Sequence, residues 1–113
     1  MEEGHVNCNI DQRGLATIEF GHPSSNALPG KILGKLAKAI TEISSDPSCK
    51  LILLKSAGNR AFCAGASFDE LIAIENIEDG KTFFSGFAKV INACRTSSKL
   101  IIGRIHGKAV GGG

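Results

Sequence analysis

Two short segments of the chain are apolar at every position rather than at alternate positions, and they constrain the fold more than any other feature. They occupy residues 51–54 (LILL) and 100–102 (LII), and Ile105 continues the second. Strands of this kind are typical of a parallel sheet that is covered on both faces. Parallel strands require a crossover connection, and the intervening segment has the apolar spacing of a helix. The stripe that we expect in the core consists of Phe84, Phe87, Ile91 and Cys94.

The first part of the chain predicts a β-hairpin followed by an amphipathic helix. Residues 6–10 and 16–20 alternate apolar with polar side chains around a turn at 11–14 (DQRG). Pro29 stands where a helix can begin, because proline is tolerated in the first turn, and the segment SSDP at 44–47 ends that helix. The order of hairpin, helix, strand, helix and strand predicts an α/β fold. The apolar face of the first helix consists of Leu33, Leu36, Ala37, Ile40 and Ile43.

Composition narrows the class of protein. The 113 residues correspond to one domain or part of one, and 42% hydrophobic with 21% charged residues is typical of a soluble globular protein. The formal charge of +2 is too small to indicate a nucleic-acid partner or an anionic membrane. No apolar run approaches the roughly 20 residues that span a bilayer, and the acidic start lacks the features of a secretory signal. We therefore expect a cytoplasmic protein with neither nucleic acid nor membrane as a partner.

The cysteines do not predict a metal site or a redox pair. They are widely spaced, none belongs to a C-x-x-C pair, and each lies in or beside an apolar segment. We expect reduced, buried thiols at Cys8, Cys49, Cys63 and Cys94.

The segment RAFCAGASFDEL, residues 60–71, follows the first buried strand with unusually small side chains. Ser67 and Glu70 have the S-x-x-E spacing of a capping box, so a helix is predicted to begin at Phe68. Backbone N–H groups at the amino end of a helix have no intrahelical partners and favour negative charge. Small residues at 64–66 would let a ligand oxygen reach an amide there.

A second segment of small residues, the glycine triplet 111–113, follows the second buried strand. Ordering three glycines is costly, which indicates that backbone must come close to something. The two segments end near each other if the two strands are neighbours, because ligands of α/β sheets collect at the carboxyl ends of the strands. One N–H donor from each segment would form an oxyanion hole, in which a single donor contributes about 3 kcal/mol to transition-state stabilisation.

These features also have purely structural interpretations. The segment AFCAGAS can be a tight strand-to-helix turn, and GKAVGGG lacks the spacing of the known phosphate-binding loops. His106 is more often a structural hydrogen-bonding residue than a general base, and Cys63 is interpreted as a packing residue. Helix capping already accounts for Asp69 and Glu70. Lys31, Lys35 and Lys38 are interpreted as a solvated helix face, with a CoA phosphate as the minor alternative for one of them.

Taken together, AFCAGASFDEL, IHGKAVGGG and the loop PSSNAL resemble the crotonase superfamily, the enoyl-CoA hydratases and isomerases, over essentially all 113 residues. The resemblance implies a spiral of ββα units and an acyl-CoA thioester as the substrate, with no metal or redox cofactor. It implies that the backbone N–H groups of Ala66 and Gly112 hold the thioester carbonyl. It also implies contacts to substrate and CoA from Pro23, Ser24, Ser25, Ala64, Gly65, Ala66, Ser67, Phe68 and Gly111.

The sequence departs from the family pattern in two ways. Ser67 and Phe68 stand where many members have an aspartate and an aliphatic residue. The two glutamates that serve as acid and base in the hydratases lie beyond the triplet in the family. We therefore expect residues 1–113 to be the N-terminal portion of a crotonase-like acyl-CoA-binding domain, an incomplete core domain that is inactive alone.

The resemblance favours an enoyl-CoA hydratase, a lyase of fatty acid metabolism that forms homotrimers or hexamers at full length. Three alternatives stay open. They are an enoyl-CoA isomerase, another crotonase-family enzyme such as a hydrolase, dehalogenase or decarboxylase, and a non-catalytic acyl-CoA-binding fragment.

Overall fold

A computed structural model describes residues 4–113 of the chain. Four strands form one sheet in the order β1-β2-β4-β6, and two short strands, β3 and β5, form a separate pair. The elements are β1 (His5–Ile10), β2 (Leu15–Gly21), β3 (Ala27–Leu28), α1 (Gly30–Ser44), β4 (Leu51–Ser56), β5 (Gly65–Ala66), α2 (Phe68–Ile72), α3 (Ile77–Thr96) and β6 (Leu100–Arg104).

The predicted hairpin is present, and its register follows the alternation of the sequence. Strands β1 and β2 are antiparallel, with Cys8 opposite Ile18 and Ile10 opposite Ala16. In the turn between them, the Asp11 carboxylate accepts hydrogen bonds from the backbone N–H groups of Arg13 and Leu15 at 2.9 and 3.0 Å. These bonds, that of Leu15 foremost, lower the pKa of the Asp11 carboxyl. The turn thus fixes the register that places Ala16 and Ile18 in the core.

The predicted parallel arrangement is also confirmed. Strand β4 pairs in parallel with β2 on one side and with β6 on the other. Helices α1 and α3 are the crossovers, and both pack on the same face of the sheet, where Ile18, Ile52 and Val90 belong to one buried cluster. All three parallel strands therefore end at the same edge of the sheet, which is the edge from which residues 57–66 and 105–113 emerge.

The buried face of α3 differs from the predicted stripe. The buried positions are Gly86, Val90 and Ala93, whereas Phe84 is 68% exposed and Ile91 is 51% exposed. Small residues decide the orientation, because a methyl group built on Gly86 would lie 2.8 Å from a terminal methyl of Leu33 in α1. The close approach of the two helices therefore selects the smallest residue of α3. Of the predicted stripe, Phe87 and Cys94 are partly buried beside this contact.

Two further expectations about burial are wrong. Strand β6 is an edge strand whose outer face is open, with Leu100 69% and Ile102 46% exposed, and only Ile101 packs against the core. All four cysteines are free, but Cys8 is exposed because it lies on the edge strand β1, while Cys49 and Cys63 are buried. Within residues 4–113, none of the helices has both the length and the apolar character that crossing a membrane requires.

The contact between α1 and α3 generates a prediction about two glycines. Gly86→Val should lower the free energy of unfolding by about 1–3 kcal/mol, because the added carbon atoms overpack the contact with Leu33. Gly34→Val is the matched control, since a methyl group built on Gly34 meets no other atom within 4 Å. The control should be neutral or slightly stabilising, because valine has the higher helix propensity. Urea denaturation measures both, and equal destabilisation by the two variants would contradict this account of the contact.

Candidate functional site

The two segments of small residues meet at the carboxyl edge of the sheet, as predicted. Cys63 and Ala109 form an isolated parallel bridge. The Val110 N–H donates to the Cys63 carbonyl oxygen at 3.0 Å, and the Phe62 N–H donates to the Lys108 carbonyl oxygen at 2.8 Å. The chain leaving β4 therefore runs hydrogen-bonded alongside the chain leaving β6.

Glycine is favoured at three positions here, by contact between the segments, by contact with α3 or by a positive φ. Gly65 has a φ of +93°, and a methyl group built on it would lie 3.3 Å from the Val110 carbonyl oxygen. A methyl group built on Gly112 would lie 2.7 Å from the Phe87 ring. Gly111 in turn lies against Gly65, since a methyl group built on Gly111 would lie 3.7 Å from the Gly65 α-carbon. The approach of the two segments thus accounts for Gly65, contact with Phe87 of α3 accounts for Gly112, and the left-handed φ of +57° favours glycine at position 111.

Helix α2 begins at Phe68, as the sequence predicts. Ser67 is its N-cap, and its hydroxyl oxygen accepts a hydrogen bond from the Glu70 N–H at 3.3 Å. The other half of the predicted capping box is not formed. The Glu70 carboxylate instead accepts a hydrogen bond from the Gly30 N–H at 2.8 Å, at the amino end of α1. Glu70 therefore joins α2 to α1 and is engaged in a structural contact.

A cleft of about 580 Å³ lies between the loop that precedes α1 and the amino end of α2. Its lining includes four of the predicted contact residues, Pro23, Ser24, Ser67 and Phe68. Phe68 is 68% exposed and offers an apolar surface at this cleft. Lys31, Asp69 and Glu70 also line it, so its wall contains charged side chains of both signs.

The other predicted site residues lie outside the lining of this cleft. Ser25 occupies a left-handed turn position with a φ of +53°. The Ala64 N–H donates to the Asn26 carbonyl oxygen at 3.1 Å, and Gly65 and Ala66 form β5, paired in parallel with Ala27 and Leu28. Residues 64–66 are thus hydrogen-bonded to residues 26–28, which directly follow the loop that carries Pro23 and Ser24.

Asn26 connects these segments, and sequence reasoning missed it. It is 5% exposed and has a φ of +62°, a conformation that asparagine tolerates better than most residues. Its side-chain oxygen accepts from the His22 N–H at 2.8 Å. Its side-chain amide donates to the carbonyl oxygens of Ala57 at 3.0 Å and Ala61 at 2.9 Å. Asn26 therefore fixes the loop before α1 against two points, Ala57 and Ala61, of the segment that leaves β4.

The remaining candidates have limited chemical roles here. Cys63 is buried, its sulfur lies 3.4 Å from the Gly65 nitrogen, and burial raises the pKa of the thiol. The thiol is therefore protonated near neutral pH, which agrees with its interpretation as a packing residue. Among residues 4–113, no group of three or more histidine, cysteine, aspartate or glutamate side chains is placed to hold a metal ion.

The contacts of Asn26 generate a prediction about the stability of the site. Asn26→Ala should lower the free energy of unfolding by about 3 kcal/mol, because three partly buried partners of the asparagine side chain lose their hydrogen bonds. Asn9→Ala, at an exposed position of β1, is the matched control and should change the free energy of unfolding by less than about 0.5 kcal/mol. Amide hydrogen exchange at His22 and Ala64 should accelerate in the first variant alone. Unchanged exchange at both amides would refute the linking role.

Comparisons with known proteins agree with this architecture. A probable enoyl-CoA hydratase of Bacillus subtilis is 29% identical over 96% of this chain and 41% of its own length. Ethylmalonyl-CoA decarboxylase of Gallus gallus is 26% identical over 97% of this chain and 37% of its own length. A crystal structure of enoyl-CoA hydratase from Mycobacterium smegmatis superposes with a TM-score of 0.82 at 29% identity, covering 90% of this chain and 40% of that one.

The present chain thus spans about two fifths of the length of these relatives. The similarity confirms the crotonase resemblance and the crotonase-type α/β fold, of which these residues form a part. The sequence model of the enoyl-CoA hydratase/isomerase family matches residues 11–113, nearly the whole of the sequence. The chain therefore belongs to the enoyl-CoA hydratase/isomerase family.

Proposed function

We propose that the chain binds an acyl-CoA thioester and that the N–H groups of Ala66 and Gly112 donate to its carbonyl oxygen. The observation that carries the proposal is the convergence of the two segments at the carboxyl edge of the sheet. The Cys63 bridge to Ala109 and the contact of Gly65 with Gly111 bring the two proposed donors into neighbouring stretches of backbone. Main-chain donors in such a position stabilise negative charge without any side chain.

The cleft beside this edge supports the proposed position of the CoA moiety. Pro23 and Ser24 lie on one side and Ser67 and Phe68 on the other, and the volume of about 580 Å³ is of the size that ligand pockets have. Apolar and hydroxyl groups on both sides suit a long ligand of mixed polarity. Ser25 and Ala64, also proposed as contacts, lie in the backbone that supports these two walls.

We further propose that the reaction served is addition of water to an enoyl-CoA. Negative charge builds on the thioester oxygen as the enolate forms. The hydrogen bonds from the two donors strengthen with that charge and so lower the barrier. The role requires no metal or redox cofactor. We expect the full-length protein to be a homotrimer or hexamer, as the family resemblance implies.

Neither Glu70 nor Cys63 is suited to the proton-transfer step. The Glu70 carboxylate is occupied by the Gly30 N–H, and the Cys63 thiol is buried and protonated. We therefore propose that the 113-residue chain alone binds the thioester without hydrating it. Decarboxylation or another reaction of the family is the second candidate, because the relatives that match these residues are named for hydration and for decarboxylation. The matched portion is thus compatible with either chemistry.

Removal of a single backbone donor tests the proposed binding mode. A peptide of residues 94–113 with glycolic acid in place of Gly112, ligated at Cys94 to the rest of the chain, replaces that N–H by an ester oxygen. The dissociation constant for crotonyl-CoA should rise about fivefold, the effect of one hydrogen bond. The constant for free CoA, which has no thioester carbonyl, should stay the same, and neither chain should hydrate crotonyl-CoA.

The control for this experiment is an all-amide chain that is assembled by the same ligation. Calorimetric titration of both chains with both ligands gives the four constants. Equal constants for crotonyl-CoA in the two chains would refute the role of Gly112. An equal rise for CoA would mean that the ester disturbs the cleft as a whole, and it would also count against the proposed carbonyl contact.

A further inference from the structure

The turn that carries the proposed donor Gly112 is fixed on both sides of that residue. The Gly113 N–H donates to the Val110 carbonyl oxygen at 2.8 Å, which closes a turn over residues 110–113. Gly113 also lies against the buried Cys63, since a methyl group built on this glycine would lie 2.6 Å from the Cys63 β-carbon. The ends of the turn are therefore held by contacts within the two paired segments.

The Phe87 ring of α3 is the support that lies directly against Gly112. A methyl group built on Gly112 would lie 2.7, 2.8 and 2.9 Å from three adjacent ring carbons, Cγ, Cδ1 and Cδ2. Nearly equal distances to three adjacent atoms mean that the missing side chain would point at the face of the ring. Phe87 is itself partly buried and packs against the core. The ring therefore limits how far the backbone at position 112 can move toward α3.

The N–H group of Gly112 has no other restraint on its direction. Gly112 is exposed, and its N–H makes no hydrogen bond within residues 4–113. Glycine has more backbone freedom than any other residue, so an unbonded glycine amide can change direction easily. A backbone donor stabilises developing charge best when its direction is fixed before the ligand arrives. The contact with Phe87 supplies a restraint of this kind.

The close contact between α1 and α3 decides where this ring stands. Gly86, which precedes Phe87, is the position at which α3 approaches Leu33 of α1. The approach of the two helices therefore sets the place of Phe87 relative to the sheet edge. Phe84 lies one turn earlier in α3, is 68% exposed and packs edge-on against Phe83, with 4.9 Å between the ring centroids. The helix thus offers a second phenylalanine as a matched comparison.

We propose that Phe87 is a positioning residue for the thioester contact, because its ring holds the Gly112 N–H in the direction of the carbonyl oxygen. The inference rests on the proposed function, since it assigns a support to a donor named there. Phe87 donates no hydrogen bond and acts through Gly112. Loss of the ring should therefore weaken the contact with the thioester carbonyl and leave the binding of the rest of CoA unchanged.

Replacement of the ring in the full 113-residue chain tests the inference. In Phe87→Leu, nitrogen relaxation of the ligand-free chain should show a more mobile Gly112 amide. Calorimetric titration should give a dissociation constant for crotonyl-CoA that is about threefold higher, with the constant for free CoA unchanged. Phe84→Leu is the matched control and should alter neither readout. Circular dichroism checks the fold, and Phe87→Met, which keeps more of the buried volume, replaces the leucine variant if that chain is unfolded.

A change on the other side of the contact gives an independent check. Gly112→Ala keeps the N–H but presses a methyl group against the ring, and the φ of Gly112 lies outside the left-handed region, so the backbone accepts alanine. This variant should raise the constant for crotonyl-CoA about fivefold in the unsubstituted chain. The rise should be smaller in the Phe87→Leu chain, because residues in direct contact have non-additive effects.

Three results would overturn the positioning role of Phe87. They are a Gly112 amide that stays equally rigid without the ring, equal effects of Phe84→Leu and Phe87→Leu on crotonyl-CoA, and an equal effect of Gly112→Ala in both chains. Failure of the proposed function appears elsewhere, in the chain with an ester at position 112, which retains Phe87. If that ester weakens crotonyl-CoA binding and Phe87→Leu does not, the carbonyl contact stands and only the present inference fails.

Discussion

The parallel alignment of β4 and β6 is the constraint on which the rest of the structure depends. Because the two strands run in the same direction side by side, the chain leaves both of them at one edge of the sheet. There the exiting segments continue to pair through Cys63 and Ala109, beyond the end of the sheet itself. The pairing leaves little room for a side chain at Gly65, and the Phe87 ring of α3 leaves none at Gly112. The proposed pair of main-chain donors at this edge relies on this topology and requires no reactive side chain.

Long-range hydrogen bonds then fix the loops around this edge. Asn26 joins the loop before α1 to carbonyl groups 31 and 35 residues away, and Glu70 joins α2 to the amino end of α1 across 40 residues. The first contact ties the loop beside the cleft to the segment that leaves β4, and the second ties together the two helices at the cleft. A binding site made of backbone groups requires such supports, because its donors cannot adjust by changing rotamer. The geometry of the proposed carbonyl contact therefore depends on residues other than the two donors.

Sequence reasoning succeeded where a pattern is local and failed where packing partners are distant. Alternation predicted the hairpin, continuous apolar runs predicted the parallel strands, and the spacing of Ser67 and Glu70 predicted the start of α2. The same spacing did not reveal that the Glu70 carboxylate binds Gly30, because that partner is remote in sequence. The buried face of α3 was predicted wrongly because a pattern of apolar bulk overlooks glycine, and contact with Leu33 requires the small residue. The role of Asn26 has only one local signal, its place in a loop where left-handed conformations are needed.

The central claim is that two backbone amides of this chain hydrogen-bond one thioester oxygen, and vibrational spectroscopy measures that contact directly. Infrared difference spectra of crotonyl-CoA with an isotope-labelled thioester carbonyl report the strength of the hydrogen bonds to that oxygen. The account predicts that the carbonyl stretch of the bound ligand lies at a lower frequency than in water, because two fixed donors polarise the bond more than mobile water does. A bound carbonyl that absorbs at or above its frequency in water would contradict the account, since the oxygen would then lie in an environment without such donors.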